Sequence, residues 1–167
     1  GYGISVTPLQ LARAYLALAN DGVALPLTLQ HSETVPKGER IMSADTARRI
    51  QTMLELAVGD IGTGRAAQVA DYRVAGKTGT VRKLTLEGYS DDKYVAWFAG
   101  FAPAASPRLV MVVTVDEPVR GGYYGGVVAA PVFGHVMTGA LRLLDVPPDA
   151  PRHDTRLITV KSERVAE

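Results

Sequence analysis

The chain has 167 residues, 47% hydrophobic and 21% charged, and its 18 basic and 17 acidic residues leave a net charge of +1. This suits one globular unit with a sizeable core, and it argues against a disordered chain and against nucleic acid as a partner. Cysteine is absent, which excludes disulfides, thiol catalysis and cysteine metal sites; His31, His135 and His153 have no metal-ligand spacing, so neither a metal nor a cofactor is expected.

The first predicted helix covers residues 7–20: Thr7 can cap it, Pro8 suits the first helical position and Gly22 stops it. Leu9, Ala12, Leu16 and Ala19 form its apolar stripe. Residues 24–39, with Pro26, Pro36 and Gly38, read as extended chain and loop or a short hairpin. Ser43 opens a second helix that reaches Val58, with Asp45 in its first turn and Ala47, Ile50, Leu54 and Ala57 on one face. A turn-rich link, 59–65, leads to a short helix at 65–69. Its three glycines and Arg65 do not fit G-x-x-x-x-G-K-[ST], so a phosphate cradle is not inferred.

Strand signals follow. Residues 72–81 form one predicted strand crossing Gly76 and Gly79, 83–93 a polar connection, 94–102 a second strand and 103–107 a turn. Residues 108–116 hold a continuous apolar run, Leu109 to Val115, as expected of a strand covered on both faces. Short connections make the three an antiparallel meander. The last predicted helix is 127–144, with Phe133, Val136, Ala140 and Leu144 on its stripe. Residues 121–141 carry no Asp, Glu, Lys or Arg, yet their many glycines read as a loop before a buried helix rather than a membrane span. The prolines at 147, 148 and 151 mark a tail, so the expected division is a body at 1–146 and a tail at 147–167. The fold class is α+β, an antiparallel sheet with helices packed on it.

The chemistry concentrates in Val74-Ala75-Gly76-Lys77-Thr78-Gly79-Thr80-Val81. In a regular strand Lys77 and Gly79 share one face, and Thr78 and Thr80 the other. Gly79 leaves room for a close approach. An ammonium with two hydroxyls suits a carboxylate ligand; the competing reading is an exposed edge strand with a solubilising lysine. Trp97 and Phe98 read as core residues.

Lys77-Thr78-Gly79 is a signature shared by β-lactamases and penicillin-binding proteins. Three more segments carry the resemblance: Gly1-Tyr2-Gly3-Ile4-Ser5-Val6-Thr7-Pro8-Leu9-Gln10-Leu11-Ala12, then Asn20-Asp21-Gly22, then Phe98-Ala99-Gly100-Phe101-Ala102-Pro103. In this order they resemble the C-terminal part of the transpeptidase domain of a class B, division-type penicillin-binding protein. The resemblance implies the penicillin-binding/serine β-lactamase-like fold. It also implies a peptidoglycan D,D-transpeptidase that cross-links stem peptides through an acyl-serine and is acylated by β-lactam antibiotics.

It further implies roles. Lys77 supplies charge and a proton relay beside the nucleophile. Thr78 and Thr80 bind the terminal carboxylate, and the Thr80 N–H, with Gly79 giving access, is an oxyanion donor. Arg82 meets anions at the cleft rim, Tyr94 walls the cleft, and Tyr123 and Tyr124 line it on a mobile glycine loop. By the same resemblance the protein sits on the periplasmic face of the inner membrane, held by an upstream segment, and works with other cell-division proteins.

The family's S-x-N occurs nowhere in the chain, and S-x-x-K only at Ser90-Asp91-Asp92-Lys93, after K-T-G and beside two carboxylates. The nucleophile is therefore expected upstream of Gly1, on the other half of the same protein, or on another chain if the protein is split or proteolysed, and the 167 residues alone are expected to be inert. The alternatives are a β-lactam sensor domain, told apart by its upstream module, and a serine β-lactamase, disfavoured because no E-x-x-x-N loop precedes K-T-G.

Overall fold

The structure, a computed structural model, describes residues 3–31, 33–34, 36–86 and 88–150. Helix α1 (Pro8–Ala19) starts at a capping box in which the Thr7 hydroxyl accepts from the Gln10 N–H and the Gln10 side chain accepts from the Thr7 N–H. Strands β1 (Val23–Ala24) and β2 (Glu39–Arg40) pair antiparallel, which fulfils the hairpin reading of 24–39. Helix α2 (Ala44–Val58) is capped by Ser43. The short helix expected at 65–69 is a 3-10 turn, Arg65–Ala67.

Strands β3 (Ala75–Thr85), β4 (Gly88–Ala102) and β5 (Leu109–Asp116) form an antiparallel sheet of order β3-β4-β5, the expected meander. Two boundaries differ from the sequence reading. The first strand begins at Ala75, not 72, and runs on to Thr85. The polar stretch 83–93 is not a loop, because β4 starts at Gly88 and pairs Thr85↔Gly88 and Leu84↔Tyr89. β5 pairs only with Val95–Ala102, so the outer half of the β3–β4 hairpin stands clear as a two-stranded arm. At its root Lys83 bonds Asp116 and Glu117, 2.7 and 2.8 Å, and Lys93 lies 3.5 Å from Glu117. These bonds hold the Glu117 carboxyl below, and the Lys83 ammonium above, their ordinary values.

Helices α3 (Gly125–Val128) and α4 (Ala130–Leu143) replace the single helix expected at 127–144. The glycine-loop-then-helix reading of 121–141 stands: α4 is long and apolar, yet Phe133, Met137 and Leu141 are fully buried.

The sheet separates two cores. On one face Phe98 meets Phe133 edge-on at 4.7 Å, with Met137, Leu141, Met111, Val113 and Val115 around them. On the other, Ala99 and Phe101 pack with Tyr15 of α1, Leu54 of α2, Val110 and Val112. β5 thus contributes side chains to both cores, but they are only half-buried, short of the full cover that its apolar run predicts. Each buried large side chain contributes roughly 1.5–3 kcal/mol.

The expected helix stripes hold in part: Ala47 and Leu54 of α2, Ala19 of α1 and Phe133 of α4 lie on the core, but elsewhere on α1 and α4 the phase differs. In α1 the inward residues are Leu11, Tyr15 and Leu18, while Leu9 is exposed; in α4 they are Phe133, Met137 and Leu141, while Val136 and Leu144 are exposed. Both helices are apolar on several sides, so a stripe of spacing three and four can be drawn more than one way.

Residues 147–150 lie against the body: the Asp149 carboxylate accepts from the backbone N–H of Arg73 and of Ala105, 2.7 and 2.8 Å. The expected tail beyond 150, like Gly1, Tyr2 and His153, lies outside the described residues.

Candidate active site

β3 is an edge strand of its sheet, and its alternation splits the K-T-G segment as expected. Ala75 belongs to the α1-side core and Gly76 abuts Phe98 of the other core. Lys77 and Gly79 therefore face the α1 side, and Thr78 and Thr80 face α3. A Cβ on Gly79 would lie inside the Trp97 indole, so only glycine fits beneath that ring. Phe98 is core as expected, whereas Trp97 is only half-buried and roofs Gly79.

Lys77 does not stay on its own face. Its Nζ turns over the strand and donates to the Thr78 carbonyl and hydroxyl, both at 3.1 Å, and to the Thr63 hydroxyl at 3.4 Å. The Thr63 and Thr78 hydroxyls are 3.0 Å apart. Thr63 comes from the Gly62–Gly64 turn after α2, whose Gly64 N–H bonds the Ala57 carbonyl at 2.9 Å. The sequence reading missed Thr63. Its one signal is a hydroxyl between two glycines, and nothing local in the sequence ties that turn to the K-T-G strand.

Thr80 faces the start of α3, and its hydroxyl accepts from the Gly125 N–H at 3.0 Å. The hydroxyl proton is still free to donate. Gly126 closes the other side: a Cβ there would strike the Thr63 carbonyl, so the α3 loop docks onto the Thr63 turn only through glycine. Between them opens a pocket of about 610 Å³, lined by Thr63, Arg65, Thr78, Thr80 and Tyr124 among others.

The aromatic residues are gathered beside it. Tyr94 stacks on Tyr123 at 4.0 Å and 12°, and Tyr123 leans on Tyr124 at 4.5 Å, its hydroxyl donating to that of Tyr124 at 3.3 Å. This bond, with the two neighbouring phenols, pushes the Tyr123 hydroxyl up to about 12. The loop before these tyrosines turns through Gly121 and Gly122 at φ +76° and +111°. Arg82 is not an open cation, because it pairs with Asp91 at 2.7 Å.

Ser90 lies within β4 rather than in an inter-strand loop. Its hydroxyl donates to the Asp92 carboxylate at 2.7 Å and accepts from the Lys93 N–H at 3.1 Å, while the Lys93 ammonium turns to Glu117. That ammonium is not the base of an S-x-x-K pair. Nucleophilic chemistry is thus unsupported at Ser90, whereas an ammonium and clustered hydroxyls at the K-T-G strand are suited to a carboxylate.

Compared with known proteins, residues 1–138 match the penicillin binding protein transpeptidase domain family. The chain is 46% identical over 162 residues to a probable peptidoglycan D,D-transpeptidase, PenA, of Neisseria flavescens, covering 97% of this chain and 40% of that one. It is 43% identical over 150 residues to the peptidoglycan D,D-transpeptidase FtsI of Escherichia coli K12, covering 90% and 26%. A solved apo structure of the transpeptidase domain of Burkholderia pseudomallei penicillin-binding protein 3 superposes with a TM-score of 0.83 at 48% identity, covering 90% of this chain and 46% of that one. The chain spans two-fifths or less of the length of these two named transpeptidases.

Proposed function

Because the chain belongs to the penicillin-binding protein transpeptidase family and has its fold, we propose that the protein carrying it is a division-type peptidoglycan D,D-transpeptidase, inhibited by β-lactams. The observation that carries this is the joining of Lys77, Thr78 and Thr63 in one hydrogen-bonded group, beside Thr80 and a pocket that Tyr124 lines.

In this reading a serine outside these 167 residues attacks the penultimate D-alanine carbonyl of a stem peptide. The C–N bond to the terminal D-alanine breaks and that amino acid leaves with a proton. An amine of a neighbouring stem then attacks the acyl-serine ester, the cross-link forms, and the serine recovers its proton. Lys77 places positive charge and a proton relay at the nucleophile. The Thr78 and Thr80 hydroxyls, with that of Thr63, hold the terminal carboxylate. The substrate lies along β3, an edge strand, as an added strand, Gly79 keeps that strand close beneath Trp97, and the Thr80 N–H receives the oxyanion.

Tyr94, Tyr123 and Tyr124 wall the cleft. Arg82 acts at the rim only after exchanging Asp91 for a ligand anion. Residues 1–146 form the C-terminal portion of the transpeptidase domain and 147–167 its tail. The protein stands on the periplasmic face of the inner membrane, held by an upstream segment, with other division proteins as partners.

The test is labelling of the complete protein with a fluorescent penicillin, followed by peptide mapping. A covalent adduct on a serine outside this chain, together with release of D-alanine from a pentapeptide substrate, supports the proposal. A protein that takes up neither reagent sinks it.

A further inference from the structure

The pocket beside the K-T-G strand contains a charge for which the fold has no use. Arg65 opens the 3-10 turn two residues after Thr63 and lines the same cavity as Thr63, Thr78 and Thr80. No Asp or Glu is among the residues lining that cavity. Arg65 forms no side-chain hydrogen bond or ion pair with any described residue; Arg48, Arg49, Arg73 and Arg82 are each tied to a carboxylate, and although Arg13, Arg108, Arg120 and Arg142 also lack such a partner, none of them lines this cavity. Lys77, the other cation nearby, is bound to the Thr78 and Thr63 hydroxyls from the strand side. An anion resting on those hydroxyls would thus have Lys77 on one side and the Arg65 pocket on the other.

We propose that Arg65 is a specificity-determining residue that reads the ligand's carboxylate from the pocket side, in addition to Lys77. The inference rests on the transpeptidase reading, in which Lys77 also serves the nucleophile. A lysine that must move protons at the reacting centre is a poor sole counter-charge for a permanent anion. A guanidinium stays charged throughout and presents a planar fork that matches a carboxylate with two parallel bonds. The ligand class is any molecule with a free carboxylate at this position, whether a peptide ending in D-alanine or a β-lactam acid.

The experiment compares acylation of the complete protein by benzylpenicillin and by its neutral methyl ester. The quantity read is the ratio of the two rate constants. In Arg65→Gln the preference for the acid should fall about tenfold, the lower end of what one hydrogen bond to a charged group is worth. Arg65→Lys should restore much of it. The melting temperature of Arg65→Gln should not move, because the side chain bonds nothing in the fold. An unchanged preference in Arg65→Gln overturns the assignment, even if both rates drop together, since an equal drop is what a merely structural residue produces. Failure of the unaltered protein to react with benzylpenicillin is a different result: it overturns the transpeptidase reading, and this inference with it.

Discussion

Thr80 uses a single hydroxyl for two purposes. It accepts the Gly125 N–H, which anchors the α3 loop, and it keeps a proton to donate to the carboxylate of the proposed ligand. Thr80→Val removes both, and should slow penicillin acylation of the complete protein at least about tenfold, since a hydrogen bond to a charged group is worth roughly 1.5–3 kcal/mol. It should also lower stability by about 1 kcal/mol or more, because the buried Gly125 N–H loses its partner. Thr80→Ser keeps the hydroxyl and should stay near the unaltered rate in the same stopped-flow assay. Equal rates for Val and Ser would show that the hydroxyl does not touch the ligand. Two phenols offer a separate check at this scale. Burial pushes Tyr15 from 10.0 to about 12, and the bond to Tyr124 does the same for Tyr123. Both are raised in the folded protein, so the unfolded chain ionises first, and stability present below pH 10 declines as pH rises toward 12. In an ultraviolet titration, Tyr15→Phe and Tyr123→Phe should each remove a late-ionising step and leave the early ones in place.

Among the elements, the loop carrying Tyr123 and Tyr124 is the one we propose to close over a ligand. Gly121 has φ +76° with nothing within 4 Å of where a Cβ would be, so a side chain there meets backbone strain alone. Gly121→Ala should cost about 1 kcal/mol in denaturant unfolding. Structures of the complete protein, free and acylated, should differ in the Tyr94–Tyr123 stack; an identical loop in both would end the idea of closure. The helix starts were legible because their caps are local: Thr7 with Gln10, and Ser43 with the Thr46 N–H, use residues three apart. The arm was not legible. Arg82, Lys83, Asp91, Asp92 and Lys93 stand where a strand would show alternating apolar residues, and they are there because β5 stops at Asp116 and both faces meet water. At the site, K-T-G was visible as a string. Thr63 was not, since only the folding of the Gly62–Gly64 turn back onto α2 brings it to Thr78.

For the whole molecule, the chemistry divides between what these residues contain and what they do not. Ser90 donates to an exposed carboxylate and its lysine turns away, so the 167-residue chain expressed alone should show no penicillin adduct by intact mass. An adduct at Ser90 would reverse that assignment. The surface supports the same division: Ile4, Leu9, Met53 and Leu56 are all more than half exposed, and apolar area of this kind favours association of the isolated chain. The clamp made by Asp149 has a practical meaning for anyone shortening the protein. The composition suggests trimming after Val146, where the prolines begin. The same carboxylate ties the approach to β3 at Arg73 to the turn after β4 at Ala105. A terminus placed three residues too early would leave both N–H groups to water and loosen the near end of the very strand pair whose middle carries Lys77. Deletion mapping from the C-terminus would then score this trailing segment as part of the active site, although it touches none of it.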